Sequence, residues 1–212
     1  MIISIFTDKN SWMNKFLPEL VSKLSAMKHE VNIYEKARSD ISGDVAFFLS
    51  YFHIVDQDLL NKHKNNIVLH ASDLPKGRGW SPLTWQIIEG KNNIKLTLFE
   101  AENSVDSGDI YMQKEMVFVG HELIEELRDV LAKTTCEMCC DFIEKYPAIL
   151  NGAKRQGQDA SFYARRNAKD SELSVDKTIG EQFNLLRVVD NEQYPAWFEL
   201  NGVKYKITID KF

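Results

Sequence analysis

The chain has little that would staple it, export it or tie it to a polyanion. Its only cysteines, Cys136, Cys139 and Cys140, are clustered and cannot form a disulfide framework. Basic charge is not in excess: 26 Lys and Arg stand against 31 Asp and Glu, for a net charge of −5. A nucleic-acid binder shows a basic stripe. None is visible, so a large polyanion such as tRNA is not the expected partner, whereas a small ligand with one or two phosphates needs only a few local cations. No apolar run approaches the roughly 20 residues of a membrane helix. The opening Met1–Phe6 lacks the basic start and cleavage site of a signal peptide. These absences predict a reduced, cytoplasmic protein without membrane contact. Glycine is missing from Thr7 to Trp12, directly after the first apolar segment. That excludes a dinucleotide fingerprint there, and no P-loop occurs elsewhere.

What is present is the alternation of an α/β protein. Residues 2–6, 31–34, 45–49, 67–70, 94–100 and 109–119 read as strands from their β-branched and apolar content. Between them, residues 12–28 place Met13, Phe16, Leu17, Leu20, Val21, Leu24 and Met27 at helical spacing. Further helices are expected over 56–63, with Asp56 as N-cap, over 83–89, and over a long stretch from His121 to Tyr146. This order predicts a Rossmann-like, mostly parallel sheet in an α/β layer structure. Residues 147–160 read as a linker. We therefore expect a catalytic domain over 1–150 and a C-terminal extension over 151–212, with a helix (177–187) and a hairpin turning at Asn201-Gly202.

Ligands of open α/β sheets bind beyond the carboxyl ends of the strands. That singles out the segments after Leu49, Leu69 and Glu100, which bring Phe52–Val55, His70 and Asp106 into question. A histidine and a carboxylate converging there form an acid–base pair. Imidazole titrates near pH 6.5 when unperturbed, and positioned proton transfer contributes about 10²–10⁴ in rate. On pattern alone, a structural histidine at a strand end is the commoner case.

The run His70-Ala71-Ser72-Asp73-Leu74-Pro75-Lys76-Gly77-Arg78-Gly79 is followed by Ser81-Pro82-Leu83-Thr84-Trp85 and Glu89-Gly90. Together they resemble the signature of 10-formyltetrahydrofolate-dependent formyltransferases, as does Val105-Asp106-Ser107-Gly108-Asp109-Ile110 downstream. In the tail, Phe162-Tyr163-Ala164-Arg165-Arg166, Asp170, Leu185-Leu186-Arg187 and Tyr194-Pro195 resemble short nucleotide-amino-sugar N-formyltransferases acting on UDP-linked 4-amino-4,6-dideoxyhexose derivatives, including those of pseudaminic-acid-type pathways. The resemblance implies 10-formyltetrahydrofolate as cofactor, no metal, and a nucleotide-linked amino sugar as acceptor. It implies that His70 assists proton removal and that Asp106 orients it. It also implies that Phe52, His53, Ile54 and Val55 line the pterin pocket, with Asn103 to Asp106 closing its other side.

One departure stands out. The family usually has asparagine two residues before the histidine, as an oxyanion donor, and here that position is Val68. Loss of such a donor typically costs about 10²–10³ in turnover. The candidate replacements are protonated His70, then Ser72, then Asn66, which shares the strand face but lies roughly 13 Å from His70.

For the acceptor, Lys9, Lys76 and Arg78 could meet a diphosphate, and Trp12, Tyr163 and Trp197 could stack on a base. Loop lysines are usually just solvated, and a hairpin tryptophan is more often core. The cysteines read as core packing, His29 and His63 as exposed, and His121 as the start of the long helix. Residues 151–212 hold ten Lys and Arg against nine Asp and Glu, a tail that adds little affinity for tRNA. The alternatives are another small amine, such as glycinamide ribonucleotide, and a non-catalytic folate- or nucleotide-sugar-binding module.

Overall fold

The computed structural model describes residues 1–53 and 55–212. Its strands and helices are β1 (Ile2–Phe6), α1 (Leu17–Ala26), β2 (Glu30–Tyr34), β3 (Gly43–Phe48), α2 (Gln57–Leu60), β4 (His63–His70), β5 (Arg78–Gly79), α3 (Pro82–Ile88), β6 (Asn93–Glu100), β7 (Ile110–Val117), α4 (Ile124–Glu144), β8 (Phe162–Tyr163), α5 (Phe183–Arg187), β9 (Ala196–Leu200) and β10 (Val203–Ile207). A six-stranded sheet has the order β2-β1-β3-β4-β6-β7. The pairs β1/β2, β1/β3 and β3/β4 are parallel, while β6 runs antiparallel to both β4 and β7. Only β6 is reversed, so the sheet is mostly parallel, as its apolar strands predicted.

The main core lies between one face of this sheet and the helices α1 and α4. Ile3, Ile5, Val45, Phe47 and Ile67 meet Leu20, Leu24, Leu127, Cys139 and Phe142 there, all essentially without exposure. Burial of a large aliphatic or aromatic side chain contributes about 1.5–3 kcal/mol. The cysteines belong to this packing as expected, and burial pushes the Cys136 thiol up to about 11. No helix among the described residues is long and apolar enough to cross a membrane.

Several boundaries differ from the sequence reading, each for a local reason. Residues 12–28 are not one helix. Trp12–Phe16 is a 3₁₀ turn, with Ser11 Oγ accepting from the Met13 N–H (3.2 Å), and α1 starts afresh because Pro18 cannot continue an i→i−4 ladder. Asp56 does cap α2, accepting from the Leu59 N–H (3.0 Å), but the helix stops at Leu60. His63 is therefore the first residue of β4 and is buried rather than exposed, its Nε2 2.8 Å from Ser4 Oγ.

The long helix opens at Ile124, not at His121, which stays exposed. Glu122 accepts the N–H groups of Val119 (2.6 Å) and Gly120 (3.0 Å), and Glu126 accepts that of Leu123 (2.8 Å), holding 119–123 out of the helix. Residues 177–187 divide into a 3₁₀ turn at Gly180–Gln182 and the short α5.

The expected linker is strapped to the body. Ala148–Gly152 is a 3₁₀ turn, Lys154 exchanges both backbone hydrogen bonds with Ile110 (2.8 Å each), and β8 pairs with β5. The hairpin β9/β10 turns at Asn201 and Gly202, both at positive φ, as that dipeptide predicts. Its segment has a small core of its own, with Leu173, Leu186, Val189 and Ala196. The fully buried Arg187 joins it to the body through Glu122 (2.9 Å) and Asn92 (3.0 Å).

Candidate active site

His70 closes β4 and is 8% exposed. Its Nε2 lies 2.7 Å from the Gly77 carbonyl oxygen. A carbonyl only accepts, so Nε2 carries a proton, and in the neutral ring Nδ1 is left as the basic nitrogen. Asp106 Oδ2 lies 3.7 Å from the same Nε2 and accepts the Gly79 N–H at 2.8 Å. The carboxylate is thus beside His70 without hydrogen bonding to it, held by backbone instead. Only glycine fits position 79: its φ is +95°, and a Cβ would come within 2.5 Å of the Tyr163 carbonyl oxygen.

The route by which Asp106 reaches His70 corrects the sequence argument. Because β6 is antiparallel, its carboxyl end at Glu100 pairs with Ile67, while Thr97 pairs with His70. Glu100 therefore ends about 10 Å short of His70 along β4, at about 3.3 Å per residue. The turn after it doubles back. Ala101 N–H donates to the Asn66 carbonyl oxygen (2.6 Å), and the Asn66 N–H donates to Glu100 Oε1 (2.5 Å). Gly108 presses on the end of β6 so closely that a Cβ would sit 1.9 Å from the Glu100 carbonyl oxygen.

Asp106 itself is at φ +50°, a conformation that costs a non-glycine residue free energy and persists where the surroundings over-determine it. Burial pushes the Glu100 carboxyl above the usual range, partly offset by hydrogen bonds from Asn65, the Asn66 backbone and Tyr111. The Tyr111 hydroxyl is raised in turn, by burial and by the Glu100 charge.

Beside this turn lies a cavity of about 530 Å³, with Leu60, His63, Asn66, Glu100, Asn103 and Ser104 among its walls. Neither His70 nor Asp106 lines it, so the cavity adjoins the Glu100–Ser104 side of the turn and not the His70 ring. The formyl transferase family matches residues 7–143, which include His70, Asp106 and the cavity walls. The chain belongs to the formyl transferase family.

The methionyl-tRNA formyltransferase of Lactobacillus johnsonii is 25% identical over 94% of this chain and 67% of its own length. Three curated methionyl-tRNA formyltransferases that the chain matches are covered over 51–67% of their length. Among solved structures, methionyl-tRNA formyltransferase from Clostridium thermocellum superposes with a TM-score of 0.86 at 23% identity, over 100% of this chain and 93% of that one. A 4-N formyltransferase from Francisella tularensis does so with a TM-score of 0.70 at 19% identity, over 100% and 98%. HypX from Aquifex aeolicus, in complex with tetrahydrofolic acid, gives 0.78 at 14% identity, over 98% and 37%. At these identities the structures establish the formyltransferase fold.

The structure places the remaining expected residues unevenly. Asp8 orders the loop after β3, accepting the Phe52 N–H (2.8 Å) and lying 3.0 Å from His53 Nε2. Val55 packs against the cluster of Phe6, Ile41, Ala46 and Phe48, as does Val68. Ile54 lies outside the described residues. Asn66 cannot take the oxyanion role considered for it. Its Nδ2 donates to the Leu60 carbonyl oxygen (2.9 Å), and its free atom, Oδ1, is an acceptor that would repel an oxyanion. Ser72 is sealed in at 1% exposure, its hydroxyl without a partner. Of the three candidates, the His70 ring is the least buried, at 8% exposed.

Of the acceptor candidates, Arg78 is committed to Gln156 (2.6 Å and 3.2 Å), and the exposed Lys76 pairs with Asp159 (3.2 Å). Lys9 is exposed on the loop after β1, and Trp12 packs on the main core. Tyr163 donates its hydroxyl to Glu89 (2.9 Å) and stacks on Trp85 (6.3 Å). Trp197 donates to the Ala168 carbonyl oxygen (2.7 Å) under Lys204, within the hairpin segment and not beside His70.

Sequence reasoning gave no site role to Trp80 or Arg165. The expected Phe52, 58% exposed, stacks on Trp80 (6.0 Å), and the Arg165 guanidinium lies 4.8 Å over the Trp80 ring. Trp80 follows Gly79, so this stack sits beside Asp106. The neighbouring Gly-x-Gly turn was the available signal. No cluster of three or more His, Cys, Asp or Glu suited to a metal occurs among the described residues.

Proposed function

We propose that the chain transfers the formyl group of 10-formyltetrahydrofolate to the amine of a nucleotide-linked amino sugar, of the UDP-linked 4-amino-4,6-dideoxyhexose type. The observation that carries this reading is the buried His70, its Nε2 proton fixed on a carbonyl and Asp106 at 3.7 Å. That arrangement suits a general base working through Nδ1. The acceptor nitrogen attacks the formyl carbon, His70 takes the proton that the nitrogen sheds, and Asp106 balances the imidazolium. The charged ring then faces the developing oxyanion, standing in for the asparagine that Val68 replaces. As the C–N bond to the folate breaks, the proton passes from His70 to the departing nitrogen, so protons balance. The donor is consumed each turnover and is a co-substrate.

The pterin is assigned to Phe52, His53 and Val55 on one side and Asn103–Asp106 on the other, of which Asn103 and Ser104 line the cavity. The acceptor is assigned to the open side near Lys9, Trp80 and Arg165, whose aromatic and cationic groups suit a base and a diphosphate. A small acceptor is favoured over tRNA because the described surface after residue 150 carries nearly balanced charge and supplies little counterion release.

Nucleotide-linked amino sugars are screened for a formyl mass gain, with single-turnover conversion of 10-formyltetrahydrofolate followed in parallel. Conversion should require the amine. His70→Asn should lower turnover more than tenfold while leaving folate binding nearly intact. Formate release without any amine, or full activity in that variant, refutes the assignment, and formylation of methionyl-tRNA alone transfers it to the other substrate class.

A further inference from the structure

Gln156 belongs to the segment that reads as a linker, yet its side-chain amide is saturated. Nε2 donates to the carbonyl oxygens of Asp106 (2.9 Å) and Gly108 (2.8 Å), and Oε1 accepts from Arg78 Nε (3.2 Å) and Nη2 (2.6 Å). A primary amide has two N–H donors and two lone pairs, and all four are used. The strap bearing it is fixed two residues earlier, where Lys154 pairs with Ile110 at the start of β7. Arg78 precedes Gly79, whose N–H holds the Asp106 carboxylate. One side chain therefore ties the turn of Asp106 to the strand that orients the Asp106 carboxylate. None of its four bonds reaches the apolar core.

We propose that Gln156 is a positioning residue for Asp106, setting the distance between that carboxylate and the His70 ring. This rests on the formyl-transfer reading above. Asp106 occupies a left-handed backbone conformation, which relaxes when its restraints are removed. Without the amide, two carbonyl oxygens lose their donor and Arg78 loses its acceptor, so the turn and the strand part. A displacement of about 1 Å at a reacting group can cost about 10²-fold in rate.

The test uses the full chain with Gln156→Met, which keeps length and removes every polar atom, and Gln156→Glu, which keeps an acceptor for Arg78 and loses both donors. Each should lower kcat by about 10–100-fold, with the acceptor KM little changed. In an Asp106→Asn background, adding Gln156→Met should lower kcat by no more than about twofold, because the two act through one group. Multiplicative losses in the double variant, or unchanged kcat in both single variants, overturn the proposal. Should Gln156→Met fail to fold, Gln156→Glu gives the same comparison. A crystal structure of either single variant reads the proposal without turnover. Asp106 Oδ2 should leave the Gly79 N–H, and a carboxylate still in place overturns the inference. If instead the unaltered protein transfers no formyl group to any amine, the functional reading falls by itself, and the displacement of Asp106 still decides the positioning role.

Discussion

Along β4 the side chains alternate between two environments. Ile67 and Leu69 enter the core beneath α1 and α4, where large apolar residues are packed to near-zero exposure. Asn66, Val68 and His70 face the other way, toward a thin cluster of Phe6, Ile41, Ala46 and Phe48, a cavity, and irregular backbone. Regular helices cover the first side. A doubled-back turn and a strap cover the second. Helices bury apolar area while pairing all their backbone groups except those at the ends. Loops must satisfy theirs one by one, as Glu100, Gln156 and Asp106 do here, and in doing so hold polar groups close together. Stability is concentrated on one face of the strand and the proposed chemistry on the other.

This contrast is most sharply tested with one substitution on each face. Ile67→Ala should cost about 2–5 kcal/mol in unfolding free energy, measured by denaturant titration, while the folded fraction keeps its turnover. His70→Asn should do the reverse, with lost turnover and little change in stability. If Ile67→Ala removed the turnover of fully folded molecules, the two faces would be coupled and the division wrong.

Val68 offers a smaller and more pointed test, since it lies on the chemical face but packs with the apolar cluster there. Val68→Asn places an amide where the family usually has one. It should raise kcat about tenfold, less than the about 10²–10³ that an oxyanion donor is worth in an optimised site, at a stability cost of about 1 kcal/mol for the buried amide. Unchanged kcat would mean that His70 already supplies all the stabilisation the oxyanion receives.

The contrast between faces also explains what the sequence made legible. The strands and the main core were readable because apolar periodicity reports burial against helices, and Ile3, Ile5, Phe47 and Ile67 fall where that pattern puts them. The pairing of His70 with Asp106 was readable from the two motifs, but not its path, because nothing in Ile94–Glu100 signals that the strand is reversed. Gln156 lies in a polar, glycine-containing run whose composition fits a free linker equally well. Its bonds depend on Lys154 meeting Ile110 across 44 residues, a match no local pattern encodes. His63 was misread for a related reason: along β4 it turns inward while the adjacent Lys64 turns out to solvent, an alternation that the polar run Lys62-His63-Lys64 does not display.

His63 therefore supplies the smallest test, of whether the thinly covered side is truly dry. It is buried against Ser4 (2.8 Å) and the edge of Phe6 (5.9 Å) and lines the cavity. Burial lowers its imidazole below the ordinary 6.5, with Asp44 pulling weakly the other way, and the Lys64 ammonium beside it is paired with Asp44. Below pH 6.5 the unfolded chain takes up a proton that the folded one resists. The contribution of His63 is therefore complete above its unfolded pKa and is lost as pH falls through the depressed folded value. Denaturant unfolding between about pH 7.5 and pH 5 should show an acid loss of stability that His63→Gln removes, while the Gln variant still offers Ser4 a polar partner. Equal acid slopes in the two proteins would show that water reaches the imidazole, and that this end of the cavity is open rather than sealed.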